Sequence, residues 1–276
     1  MTFRSHFYTS SPAAMGKSSD ERRNPEHQGN SPSGYREGLI FCGDPHGEFL
    51  SVVETVKRFL PVAIVLLGDL QPRQPLHVEL SSILDQTQVW FIHGNHDTDS
   101  DQDFDHLFGS KLGDRNLHGR VETIAGYRIA GLGGVFRKKI WDPAHPTSRA
   151  RFISREALLA HARRGKAGAV DQWRGGYARK HFSSIFPEEV EALSSMQADI
   201  LVTHEAPSAH PRGFQVLDDL AVALGAKLLV HGHHHEDIDY VRDGLMGASS
   251  PFAAFGVDMG SFFAWPPAFN REQETQ

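Results

Sequence analysis

Five short segments of the chain carry oxygen and nitrogen donors in patterns that can hold metal ions. They read Gly43-Asp44-Pro45-His46-Gly47, Gly68-Asp69, Gly94-Asn95-His96-Asp97, Thr203-His204 and Gly232-His233-His234-His235. Carboxylates and imidazoles suit borderline divalent cations. The single cysteine, Cys42, excludes a cysteine-rich zinc site and any disulfide within the chain. One Gly-Asp after an apolar run is ordinarily a turn. Five donor segments in succession, each following an apolar run, form a constellation, and they hold six of the chain's 17 histidines.

The elements that must position these donors are legible as runs. Apolar stretches at 39–41, 62–67 and 89–92 end abruptly in the first three segments, and helical patterns at 48–60 and 76–84 lie between them. Continuous Val/Ile/Leu runs alternating with amphipathic helices predict βαβ units with buried parallel strands. Further strands are expected at 128–132, 199–203 and 227–230, and returning antiparallel strands with glycine turns at 238–241 and within 252–263. Polar residues that end parallel strands gather at the carboxyl edge of a sheet, where open α/β folds bind ligands.

Composition sets the outer bounds. With 276 residues, 39% hydrophobic and 22% charged, the chain is of ordinary globular make-up. It has no apolar run of the roughly 18 residues that a membrane span needs. A formal charge of −6 argues against a general nucleic-acid binder. Residues 1–36 contain no Leu, Ile or Val and lack a secretory pattern, so they read as a disordered tail on a cytoplasmic protein. Gly16-Lys17-Ser18 within it is no phosphate loop, because Ser11 stands where that motif needs glycine. The stretch 135–186 holds 12 Lys/Arg against three acids, a net +9 that leaves −15 for the rest. It reads either as a solvated insertion or as a cap that attracts an anionic substrate, with helices expected at 154–164 and from Pro187 onward.

The donor segments, taken in order, resemble the motif series of the calcineurin-like metallophosphoesterases: D-x-H, G-D, G-N-H-[DE], a lone His and G-H-x-H. The resemblance covers roughly residues 39–265. It implies an α/β fold, a four-layer αββα sandwich of two mixed sheets, with the domain at 37–270 and a two-metal site at the carboxyl edge. Carried across, Asp44, His46 and His235 bind one metal, Asn95, His204 and His233 the other, and Asp69 bridges both. The cofactors implied are two divalent ions, manganese foremost, with iron or zinc as alternatives. A bridging carboxylate can hold two cations about 3.5–4 Å apart, and a water shared by them becomes a nucleophile for in-line attack on phosphorus. His96 would protonate the leaving group with Asp97 holding its ring, or else support the ligands from behind.

Register within the last segment follows G-H-x-H, which places His233 and His235 on one face of an extended strand, leaves His231 either to line the site or to support the ligands from behind, and has His234 facing away. Arg73 stands where the protein-phosphatase branch has a phosphate-clamping arginine, although Pro72 and Gln74 replace the flanking Asp and Gly of that branch. His93 and Cys42 read as buried and inert, and Phe136, Trp141 and Trp173 as anchors of the basic insertion or platforms for a base. The reaction expected first is hydrolysis of a phosphomonoester, on a small molecule or a phosphoprotein. A nucleotide or dinucleoside polyphosphate comes next and a phosphodiester third, with no membrane or nucleic-acid partner. A non-catalytic metal-binding scaffold is the alternative of another class, and the filled ligand positions count against it.

Overall fold

The computed structural model describes residues 38–145, 149–164 and 172–267. The tail at 1–36, with Gly16-Lys17-Ser18, and positions 146–148 and 165–171 of the basic stretch lie outside the described residues. In chain order the elements are β1 (Leu39–Cys42), α1 (Leu50–Phe59), β2 (Ala63–Leu66), α2 (Leu76–Glu79), β3 (Gln88–Phe91), α3 (Asp101–Phe108), β4 (Arg120–Ile124) and β5 (Tyr127–Leu132). There follow α4 (Arg155–Arg164), α5 (Pro187–Ser194), β6 (Ile200–Thr203), α6 (Gln215–Leu224), β7 (Leu228–His231), β8 (Ile238–Asp239), β9 (Ala253–Gly256) and β10 (Phe262–Trp265).

The strands make two mixed sheets, ordered β10-β1-β2-β3 and β4-β5-β6-β7-β9-β8. Successive side chains on a strand point to opposite faces, so each apolar run feeds two cores. Leu39, Phe41, Ala63, Val65, Trp90 and Ile92 face the second sheet, where Ile129, Ile200, Val202, Leu228 and Val230 meet them. The intervening Ile40, Cys42, Ile64, Leu66, Val89 and Phe91 pack with Val52, Val56 and Phe59 of α1 and with Leu107 of α3. On the far side, Leu132, Leu201 and Leu229 pack with Leu193 of α5 and Leu217, Leu220 and Leu224 of α6. Helices therefore cover both outer faces, giving the four layers α, β, β, α. Burial on both faces is why the strands are continuous apolar runs without a polar alternation.

Two expectations for the C-terminal strands are corrected. β8 does return antiparallel to β9, but β9 runs parallel to β7, and β10 leaves this sheet to pair antiparallel with β1. The glycine-containing segment between them crosses the seam: Val257 N bonds to His231 O in one sheet and Gly43 N to Ser261 O in the other. The helix expected at 76–84 is one turn, α2, continued by three-residue turns such as Ser81 N to Val78 O and Ile83 N to Leu80 O. Among the described residues no helix is long and apolar enough to cross a membrane.

The described parts of the basic stretch, the expected cap, share a small core of their own made of Ile140, Phe152, Leu158, Tyr177 and Phe186. Trp173 packs edge-on to Phe104 of α3, and Phe136 packs on Trp141 and Phe214, so these aromatics are anchors. Three of its arginines are neutralised by acids outside the stretch. Arg174 makes a two-pronged bond to Asp105 of α3 (2.6 and 2.7 Å), Arg179 pairs with Asp101, and Arg155 donates to Glu189 of α5 at 2.7 Å. Glu189 also bonds the His118 ring at 3.1 Å and accepts from Phe186 N at 2.9 Å, which starts α5. Burial opposes its charge, but His118 and Arg155 outweigh burial and pull its pKa down from 4.5 to about 2.

A depressed acid pKa stabilises the fold above the unfolded value and loses that contribution as pH falls through the folded one. Glu189→Ala should therefore cost about 3 kcal/mol at pH 7, since it strands the largely buried Arg155. The difference from wild type should shrink as pH falls from 4.5 towards 2. Urea melts across that range check both points, and a gap independent of pH would refute the assignment.

Candidate metal centre

Every donor segment emerges from the carboxyl end of a strand, and the two sheets contribute in turn. Asp44 and His46 follow β1, Asp69 follows β2, Asn95 follows β3, His204 follows β6, and His233 and His235 follow β7. The donor atoms of Asp44, His46 and His235 lie within 4.8 Å of one another, and so do those of Asp69, His204 and His233. In the first group His235 Nε2 is 3.3 Å from Asp44 Oδ2 and 3.2 Å from His46 Nε2. In the second, His204 Nε2 is 3.4 Å from Asp69 Oδ2 and 3.2 Å from Asn95 Oδ1. Asp69 Oδ2 also lies 3.9 Å from His46 Nε2, which joins the groups.

Features of these residues fit cations. Asp44 Oδ1 is buried with no hydrogen-bond partner, a costly state for a carboxylate oxygen unless a cation meets it. The outward ring nitrogens are already used: His46 Nδ1–H donates to Gln71 Oε1 and His204 Nδ1–H to Leu67 O, both at 2.8 Å. That fixes the tautomers and leaves the Nε2 lone pairs facing the carboxylates. Burial and the charge of His204 press the His233 pKa down to about 3, keeping it neutral as a ligand must be. Burial also disfavours charge on His204, yet Asp69 and Asp44 outweigh it and push that ring up to about 10. Without a metal, a proton supplies the positive charge that these acids demand.

The local backbone is bent to make this convergence. His46, Asp69, His233 and His235 have φ of 46, 46, 69 and 53°, in the left-handed region that side chains other than glycine rarely occupy. Bonds across the segments hold them there, with His46 N to Asp69 O at 2.9 Å and His233 N to Asp44 Oδ2 at 2.7 Å. Three motif glycines are required by close approach. A Cβ on Gly94 would overlap Asp69, one on Gly232 would overlap Asp44, and one on Gly68 would overlap the His204 ring.

Two expectations change. His233 and His235 occupy a turn instead of one face of an extended strand, and their left-handed backbones send the two rings to different groups. Asp97 does not hold the His96 ring: it is buried and accepts from Gln71 N (2.9 Å) and Gly94 N (2.8 Å), tying the second and third segments together. Residues 96–98 form a 3₁₀ turn, in which positions i and i+3 eclipse, so Asp99 takes that place with Oδ2 2.5 Å from His96 Nδ1. Arg73 lies against Gly47 but is 68% exposed and paired with Glu48.

Other histidines near these segments also find places. His231 is buried, with Nε2 2.8 Å from Tyr240 Oη and Nδ1 2.8 Å from Gly232 O. His93 is buried beside Asn116, and burial holds its pKa well below the usual value. His234 stacks on His210 with ring centroids 4.0 Å apart. Glu205 went unnoticed in the sequence. It is buried 3.8 Å from His233 Nε2, and burial raises its pKa to about 7. Its donors lie within 4.8 Å of those of His233 and His234, a grouping that competes with Asp69 and His204 for the same ring.

The family model described as calcineurin-like phosphoesterase matches residues 39–237. A Haemophilus influenzae protein described as uncharacterized is 45% identical over 202 residues, spanning 73% of this chain and 85% of its own length. The crystal structure of TT1561 of Thermus thermophilus superposes with a TM-score of 0.50 at 15% identity, covering 82% of this chain and 91% of that one. That likeness concerns the fold.

The close-approach argument is testable without an assay. Gly94→Ala and Gly232→Ala should each lower the manganese retained after dialysis, measured by elemental analysis, because the methyl displaces Asp69 or Asp44. Gly247→Ala, where a Cβ meets only Ser249 Oγ at 3.9 Å, should retain as much as wild type. Full retention by Gly232→Ala would show that Asp44 is not placed by that contact.

Proposed function

The chain belongs to the calcineurin-like phosphoesterase family, a metal-dependent hydrolase of phosphate esters, and we propose that it works with two divalent cations, manganese foremost, on phosphomonoesters. The observation that carries this reading is the pair of donor groups joined through Asp69, with the Asp99-hooked ring of His96 beside them. Asp44, His46 and His235 would hold one cation, Asn95, His204 and His233 the other, and Asp69 both. When bound, such ions supply Lewis acidity and an acidified water at neutral pH.

The protein's own groups do the rest. His96 Nδ1–H donates to Asp99, so its Nε2–H is the proton available to a leaving-group oxygen. Burial alone would lower the pKa of His96, but the Asp99 bond and the charge of Asp69 raise it, which favours the protonated ring. Its backbone N–H donates to Asp69 Oδ1 at 2.7 Å, fixing the acid relative to the bridging carboxylate. The His96 ring also flanks His46, with centroids 5.6 Å apart. Asp97 clamps Gln71, whose side chain in turn orients His46. Pairing of Arg155, Arg174 and Arg179 with acids outside the cap reduces the cation available to a polyphosphate, which favours a simple monoester.

With manganese, p-nitrophenyl phosphate should be cleaved in preference to its bis-ester; the reverse preference would make the protein a diesterase. His96→Ala should keep its metal but lose about 10²–10⁴-fold in kcat, and lose most on alkyl phosphates, whose leaving groups need the proton. Asp99→Asn should show a smaller loss in the same order. Full activity of His96→Ala on an alkyl phosphate would end the acid assignment.

A further inference from the structure

Arg137 lies where the chain leaves the carboxyl end of β5 and enters the cap. Its position is fixed from two sides. The preceding residue, Phe136, donates its backbone N–H to Glu205 Oε1 at 3.0 Å, and Glu205 faces His233. On the other side Arg137 Nη2 donates to Ser183 Oγ at 3.2 Å, and that hydroxyl lies 2.7 Å from Thr98 Oγ1 and 3.5 Å from Asn95 O. The backbone beside Arg137 is thus held by a residue that faces His233, and its guanidinium by one that touches Asn95 O, both of the second donor group.

The other arginines around the site are occupied. Arg73 is exposed and paired with Glu48, Arg174 with Asp105, and Arg179 with Asp101 and Thr98 O. Arg155 bonds to Glu189, Tyr177 and three cap carbonyls. Among the described residues the Arg137 side chain makes one hydrogen bond, to a neutral hydroxyl, and its buried Nε meets no partner. Asp69, Asp99 and Glu205 attract its charge, yet among the described residues none forms an ion pair with it. A half-buried guanidinium with unused donors, within electrostatic reach of Asp99, Glu205 and Asp69, has the chemistry of an oxyanion contact.

We propose that Arg137 binds a non-bridging oxygen of the substrate's phosphoryl group, as the clamp that Arg73 does not supply. This rests on the phosphoesterase reading above. Charge builds on the equatorial oxygens during phosphoryl transfer, so a fixed guanidinium favours both binding and turnover. A monoester dianion offers it more charge than a diester.

The test uses the full chain loaded with manganese and inorganic phosphate as the probe. Calorimetric titration should show phosphate binding weakened about 10- to 100-fold in Arg137→Ala, with partial recovery in Arg137→Lys. Metal content and melting temperature should match wild type in both variants. In parallel, KM for p-nitrophenyl phosphate should rise in Arg137→Ala. Unchanged phosphate affinity in Arg137→Ala would overturn the proposal, as would a loss seen only together with lost metal or a lowered melting temperature. If wild type binds phosphate through Arg137 but cleaves no ester, the proposed reaction fails while the anion contact stands. If wild type cleaves esters and Arg137→Ala keeps its phosphate affinity, only the Arg137 assignment fails.

Discussion

Leu39, Phe41, Ala63 and Val65 of one sheet meet Ile200, Val202, Leu228 and Val230 of the other, and both donor groups span the seam they form. Neither sheet holds a complete group: the first supplies Asp44, His46, Asp69 and Asn95, the second His204, His233 and His235. Apolar packing between the sheets therefore sets the registration of the polar edge. Side chains in such a core sit close-packed in defined rotamers, so small errors in the seam would appear directly as misplaced donors. The motif glycines extend the same constraint to the edge, because each clears the space into which a ligand from another segment fits.

Charge is the second constraint. Asp44, Asp69, Asp97 and Glu205 are all buried in one neighbourhood, and burial raises the pKa of the last two to about 7. The nearby His233 is kept neutral, while His204 takes up a proton. So many acids in a small volume oppose one another unless positive charge is supplied, and metal ions answer that need better than protons do. Arg137 adds fixed positive charge at the rim, where it can meet an incoming anion.

Much of this was legible in the residues. Burial on both faces made the strands visible as unbroken apolar runs, and the abrupt change to Gly-Asp or Gly-Asn marked their carboxyl ends. What could not be read arises from local geometry and from partners distant in sequence. A 3₁₀ turn puts Asp99 and not Asp97 beside His96, and nothing in the string Asn-His-Asp signals that turn. Left-handed backbones at His233 and His235 defeat the alternation argument that an extended strand would obey. Part of the cap's net charge is met by Asp101 and Asp105 of α3, which lie well before it in the chain, so a count over the stretch alone overstates it. Pairing of β9 with β7 and of β10 with β1 likewise depends on contacts that no local pattern carries.

The bond from His233 N to Asp44 Oδ2 joins residues 189 positions apart, and β10 completes the first sheet from the far end of the fold. Loops of that span close late, after local contacts have formed. During synthesis the first sheet would wait without its outer strand, and Asp44 and Asp69 without their imidazole partners. Capture of a metal is then an event of the finished fold, which guards a half-made chain from trapping an ion in the wrong coordination. Long-range topology here acts as a clock: the donor groups are incomplete until the segment after β7 has met the first sheet.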